Sequence, residues 1–147
     1  MTQQPGIDDP FDLKRFIRAQ ERDYSQALSE IRQGQKRSHW MWYVFPQIDG
    51  LAMSSTAKLY AIKSLDEARA YLDHPVLGLR LRECAEAMLS IEGRSATEIL
   101  GSPDDLKLRS SATLFASVSP PGSVFERVLA KFYEGRRDER TLALTRL

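Results

Sequence analysis

Leu77-Gly-Leu-Arg-Leu-Arg-Glu-Cys-Ala-Glu-Ala-Met-Leu89 is the run that decides the fold class. Leu77, Leu81, Cys84, Ala85 and Met88 recur at the spacing of one helical face, with charged residues between them. A strand would need alternation of period two, which this run lacks. His74-Pro75 breaks the pattern on its upstream side. Pro75 suits the first turn of the helix that follows, and His74 suits a cap or hinge. Cys84 lies on the apolar stripe, which predicts a buried, inert thiol rather than a nucleophile.

The same grammar repeats outward from this run. Ser64 and Glu67 form a capping box that opens a helix to about Leu72, and Ser95 and Glu98 form another before a short turn. Ser102 and Pro103 read as the N-cap and first position of a helix with Asp104 and Asp105 in its first turn and Leu108, Ala112 and Phe115 facing inward. After the break at Pro120-Pro121-Gly122, Ser123 and Glu126 cap a helix that carries Phe125, Val128, Leu129 and Phe132 and closes at Gly135. Asp138 or Thr141 starts a last short helix with Leu142.

Towards the N-terminus, Leu13, Phe16, Ile17 and Gln20 share a face, with Asp9 or Asp12 as cap. Tyr24, Ala27, Leu28 and Ile31 follow, framed by Asp23 and Gln26 and ended by Gly34, so this stretch is either two helices or one bent one. Pro46 and Gly50 mark a turn, and Met53, Ala57 and Tyr60 a short helix. The reading is an all-α fold: a flexible tail over residues 1–10, then a compact single domain over 11–147, with several short helices around one core.

Composition narrows the function classes. A chain of 147 residues forms one domain with a real core. A net charge of +1 supplies no global field for nucleic acid or an anionic membrane, so both partners are disfavoured. One cysteine excludes an intrachain disulfide and a thiolate metal cluster, which fits a reducing cytoplasm. There is no basic head followed by an apolar run, nor an apolar stretch near the roughly 20 residues of a membrane span, so the expectation is a soluble, unexported protein. The two histidines, His39 and His74, are far apart with no supporting carboxylate spacing, so neither a metal nor a cofactor is expected. Phosphate-binding glycine loops, paired-histidine helices and nucleophile elbows are absent, and no residue is assigned a catalytic role.

Two stretches remain as candidates. Lys36-Arg-Ser-His-Trp-Met-Trp-Tyr-Val-Phe-Pro-Gln47 holds both tryptophans and one histidine. Its aromatics either anchor the core or line a cleft in which Trp40 or Trp42 stacks a planar ligand. In that cleft Lys36, Arg37 and His39 hold an anionic group, and Gln47 reads a base or amide. Ser102-Pro-Asp-Asp-Leu-Lys-Leu-Arg-Ser-Ser111 is either a well-capped helix with an Asp105–Arg109 pair at i, i+4, or a source of donors in Lys107, Arg109 and Ser110. The site expected from these stretches is Lys36, His39, Trp40, Trp42, Gln47, Lys107, Arg109 and Ser110, with His39, Gln47, Lys107 and Arg109 meeting in one cleft. It would take a small anionic or nucleotide-like ligand. The alternative is a non-enzymatic module that presents a basic-aromatic surface to a protein.

Five strings carry a family resemblance: Arg15-Phe-Ile-Arg-Ala-Gln20; His39-Trp-Met-Trp-Tyr-Val-Phe-Pro-Gln47; Tyr71-Leu-Asp-His-Pro-Val-Leu-Gly-Leu-Arg-Leu81; Lys107-Leu-Arg-Ser-Ser-Ala-Thr-Leu-Phe115; and Phe125, Gly135, Asp138 and Thr141 in order. With them the chain resembles, from Phe11 to Leu144, an uncharacterised bacterial family, domain-of-unknown-function family 1810. One departure is Ala52, where the family pattern tends to have a second glycine. The resemblance implies a compact all-helical fold and no established activity. Members sometimes carry the label calpastatin, which denotes a disordered, repeated inhibitor. The core-forming pattern here argues against that label.

Overall fold

The Asp9 carboxylate starts the fold by accepting the backbone N–H groups of Leu13 (2.7 Å) and Lys14 (2.9 Å) at the head of helix α1, Lys14–Arg32. This is a computed structural model that describes residues 9–146. The tail read over residues 1–10 therefore lies outside the described residues except for Asp9 and Pro10. Beyond α1 the described residues form α2 (Met41–Val44), α3 (Ser55–Leu59), α4 (Leu65–Asp73), α5 (Leu77–Leu89), α6 (Ala96–Leu100), α7 (Asp104–Ala116), α8 (Val124–Tyr133) and α9 (Glu139–Thr145). Among them there is no strand, only one parallel bridge between Ile48 and Ile62. The fold is all-α. No helix of the described residues is long and apolar enough to cross a membrane.

The caps read from the sequence hold most helix starts. Ser64, Ser95 and Ser123 accept the N–H groups of Glu67, Glu98 and Glu126, and Asp138 accepts that of Thr141. At α6 the reciprocal bond from Ser95 N–H to Glu98 completes the box. The His74 Nδ1 accepts the N–H groups of Val76 (3.1 Å) and Leu77 (3.3 Å), so the cap of α5 is an imidazole. Pro75 does not stand in the first turn of α5 but in the turn ahead of it, since α5 begins at Leu77.

Other expectations need correcting. Asp23 and Gln26 do not open a second helix, because no glycine or proline interrupts α1 and the apolar face continues through them. Asp23 accepts the Tyr43 hydroxyl instead, and the Gln26 amide donates to Glu30. α1 ends as predicted at Gly34 (φ +76°), with Gln35 N–H on Glu30 C=O and Gly34 N–H on Ile31 C=O, a Schellman closure. α7 begins at Asp104, one residue late, and Ser102 does not cap it.

The helices bury an aromatic chain. Tyr43 meets Tyr60 (5.1 Å between centroids), Tyr60 meets Phe16 (5.9 Å), Phe16 meets Tyr71 edge-on (5.0 Å), Tyr71 meets Phe115 (5.4 Å) and Phe115 meets Phe125 (5.7 Å). This chain ties α1, α4, α7 and α8 to α2 and to the end of α3. Gln20, on the inward face of α1, donates to the Tyr43 carbonyl (2.7 Å) and to the Tyr71 hydroxyl (3.0 Å), so its burial leaves the amide nitrogen satisfied. Arg15 donates to Glu67 (2.7 Å) and to the carbonyls of Leu59 and Ala61, locking α1 to α4 and to the end of α3.

The junction of α4 and α5 is tighter than the sequence suggests. A Cβ on Gly78 would stand 2.0 Å from the Leu72 carbonyl oxygen. In an isolated helix alanine is better than glycine by about 1 kcal/mol. Here the sign reverses: Gly78→Ala is expected to cost about 2–3 kcal/mol, because backbone must move to admit the methyl group. Denaturant unfolding checks this. An unchanged or raised midpoint would mean that the two helices part freely.

Candidate functional site

The aromatic stretch folds around one buried carboxylate that the sequence reading did not single out. Glu30, on the last turn of α1 and 1% exposed, accepts Trp40 Nε1–H (2.8 Å), the N–H groups of Arg37 (2.9 Å) and Ser38 (3.1 Å), the Ser38 hydroxyl and the Gln26 amide (2.7 Å). Burial works to raise its pKa, but these donors prevail and hold it at about 2. The available signal was Gln26 and Glu30 at i, i+4, with the donor-rich Arg37-Ser-His-Trp40 one loop away.

This arrangement separates the two tryptophans. Trp40 is 1% exposed and belongs to the core with Phe45, so it cannot stack an external ring. Trp42 is half-buried and reaches the surface. It lines a crevice with Gln47, Ile48, Ala52, Tyr60 and Ala61, whose volume of about 10 Å³ is room for roughly one water. Ala52 does not adopt a positive φ, so the family's glycine is not required there. Gln47 and Tyr60 make no side-chain hydrogen bond among the described residues, and neither polar group is sealed from solvent.

Two lysines complete the picture. Lys36 Nζ lies 5.2 Å from the Trp40 ring centroid and 2.9 Å from Asp104 Oδ2. Lys107 Nζ lies 5.3 Å from the Trp42 centroid and 3.4 Å from Asp104 Oδ1. The loop after α1 is tied to α6, just ahead of α7, by the Lys36 N–H bond to the Ile99 carbonyl (2.7 Å). Lys36, Trp40, Trp42 and Lys107 therefore converge, with Gln47 reaching them through Trp42.

Arg109 and Ser110 are turned elsewhere. Residues two apart on a helix face away from each other, so Lys107 and Arg109 diverge. The Arg109 guanidinium donates to the Arg136 (2.9 Å) and Arg137 (2.9 Å) carbonyls in the loop before α9. The predicted Asp105–Arg109 pair is absent: Asp105 accepts the Thr97 hydroxyl (2.6 Å). Ser110 is buried and back-bonds to the Leu106 carbonyl (3.2 Å). His39 is exposed, and its carbonyl accepts the Tyr43 hydroxyl (3.3 Å).

Neither a reactive thiol nor a metal-binding cluster stands among the described residues. Cys84 is buried, and that burial pushes its thiol up to about 12, far from the thiolate a nucleophile needs. The described residues contain no group of three His, Cys, Asp or Glu that could hold a metal ion. What the arrangement does offer is recognition: an accessible indole, an amide, a phenol and an ammonium.

A solved structure shares this architecture. A crystal structure of the conserved hypothetical protein Rv1873 from Mycobacterium tuberculosis is 52% identical and superimposes with a TM-score of 0.93, over 95% of this chain and 99% of that one. No curated protein matches the chain. The family described as "Protein of unknown function (DUF1810)" matches residues 10–145, nearly the full described length, and the chain belongs to that family.

Proposed function

We propose that the protein binds a small anionic, nucleotide-like ligand on the Trp42 face. The observation that carries this reading is the open amide of Gln47 and hydroxyl of Tyr60 beside Trp42, with the Lys107 ammonium against the indole. The crevice is too small to swallow a ring, so a planar group lies across its mouth against Trp42, reads Gln47, and sets its charge towards Lys107. A cytoplasmic location goes with this reading: the one cysteine is buried and unpaired, which suits a reducing compartment.

The interaction-module alternative draws on a separate observation. Met53 (71%) and Leu59 (55%) are strongly exposed on either side of the crevice-lining Ala57, and such side chains suit a protein surface that docks here.

Tryptophan emission separates the two. Adenosine and guanosine monophosphates are titrated into the native protein and into Trp42→Phe, in which Trp40 stays buried. The expected result is saturable quenching that Trp42→Phe loses. It should be accompanied by stabilisation of about 2.7 kcal/mol at 100 times the dissociation constant. If emission and melting stay unchanged at millimolar nucleotide, the ligand reading fails and the interaction module stands.

A further inference from the structure

We infer that Lys36 and Lys107 form the anion seat of this face, suited to a phosphate monoester, and that Asp104 fills that seat from within as a displaceable internal anion. The inference rests on the ligand-binding reading above and names the ligand's class.

The ion pairs around Asp104 do not match one to one. Two ammonium groups contact one carboxylate, at 2.9 Å and 3.4 Å, while the neighbouring Asp105 makes no ion pair among the described residues: one of its oxygens accepts the Thr97 hydroxyl and the other is buried without a partner. The place is partly desolvated: the side chains of Lys36, Asp104 and Lys107 are 8%, 18% and 23% exposed. An uncompensated charge held out of water is costly, and the Trp40 and Trp42 faces at 5.2 and 5.3 Å offset only part of that cost.

Donors are in excess as well. Each ammonium has three N–H groups, and among the described residues each has only Asp104 as an ionic partner. A phosphate monoester near neutral pH is mostly dianionic and presents three strong acceptor oxygens. It therefore matches both the double positive charge and the spare donors, which a single carboxylate does not. Asp104 is the first residue of α7. Rotation about its side-chain bonds releases the seat and leaves the carboxylate at the helix start, where negative charge is favourable. A base attached to the same phosphate then lies over Trp42, next to Gln47.

The test compares melting in potassium phosphate with potassium chloride at matched ionic strength, for the native protein, Asp104→Asn and Lys107→Met. Lys36 is avoided because its stem is buried, whereas Asp104 and Lys107 are partly exposed and Lys107→Met keeps the apolar stem. The expected result is saturable stabilisation by phosphate in the native protein. Binding should tighten roughly tenfold in Asp104→Asn, the scale of one charge-assisted hydrogen bond, and disappear in Lys107→Met. Should Asp104→Asn not fold, the native protein against Lys107→Met decides alone. Phosphate acting no differently from chloride in every chain, or acting equally on Lys107→Met, overturns the proposal.

Adenosine monophosphate separates this proposal from the reading it rests on. If inorganic phosphate binds through Lys107 but the nucleotide adds nothing and leaves Trp42 emission unchanged, the seat stands and the stacking face falls. If the nucleotide quenches Trp42 equally in the native protein and Lys107→Met, the face stands and the seat is wrong.

Discussion

Replacing Trp40 with alanine is expected to lower the unfolding free energy by about 3–5 kcal/mol, the usual range for deleting a buried large aromatic. Two losses add up. The indole is 1% exposed, so its removal leaves a cavity among close-packed neighbours. Its Nε1–H is also one of the donors on Glu30, so a buried carboxylate loses a partner. For a chain of this size the melting temperature should fall on the order of 10 °C. Trp42→Ala should cost clearly less, because Trp42 is only half-buried. Chemical unfolding of the two variants side by side checks the ranking. A Trp40→Ala cost below about 1 kcal/mol would place that ring outside the core.

The second large effect belongs to Glu30 and depends on pH. Its pKa is held at about 2 against an ordinary 4.5, so the folded state favours the ionised form. Stability from such a group is complete above the unfolded value, near pH 4.5, and drains away as pH falls towards 2. At roughly 1.4 kcal/mol per pKa unit this preference is worth at most about 3 kcal/mol at neutral pH, less whatever solvent screens. Glu30→Gln should therefore lower stability at pH 7 by an amount of that order, and the gap to the native protein should shrink between pH 4.5 and 2. Denaturant midpoints measured across that range read the gap directly, with the other carboxylates cancelling in the difference. A gap that stays constant with pH would show that Glu30 does not act through its charge.

Both predictions concern a substructure that the last turns of α1 and the loop after it close between them, and this sets what a reader of the sequence can see. The stripe through Leu77, Leu81, Cys84 and Met88 and the serine caps at Ser64, Ser95 and Ser123 were legible. Each depends on residues within one or two turns of one another. Local periodicity and local hydrogen bonds are written in spacing. Where local signals competed, the tertiary context chose. Asp23 and Gln26 satisfy the rule for a helix start, yet they sit in mid-helix, where Asp23 accepts the Tyr43 hydroxyl and Gln26 donates to Glu30 one turn on.

The candidate site divides along the same line. The sequence alone determined that the protein is all-α, that it carries one inert thiol, and that the stretch from Lys36 to Gln47 and the helix carrying Lys107 hold its most distinctive polar groups. Only the tertiary structure decided that Lys36 and Lys107 meet at Asp104, that Arg109 is spent on the carbonyls of Arg136 and Arg137, and that Trp40 is sealed while Trp42 is open. It also decided that Glu30 is the hub of the aromatic loop. The physical reason is that a side chain's direction follows from its own helix, whereas its partner follows from how helices far apart in sequence pack. That packing is set by the shape and burial of whole faces, which no short motif encodes.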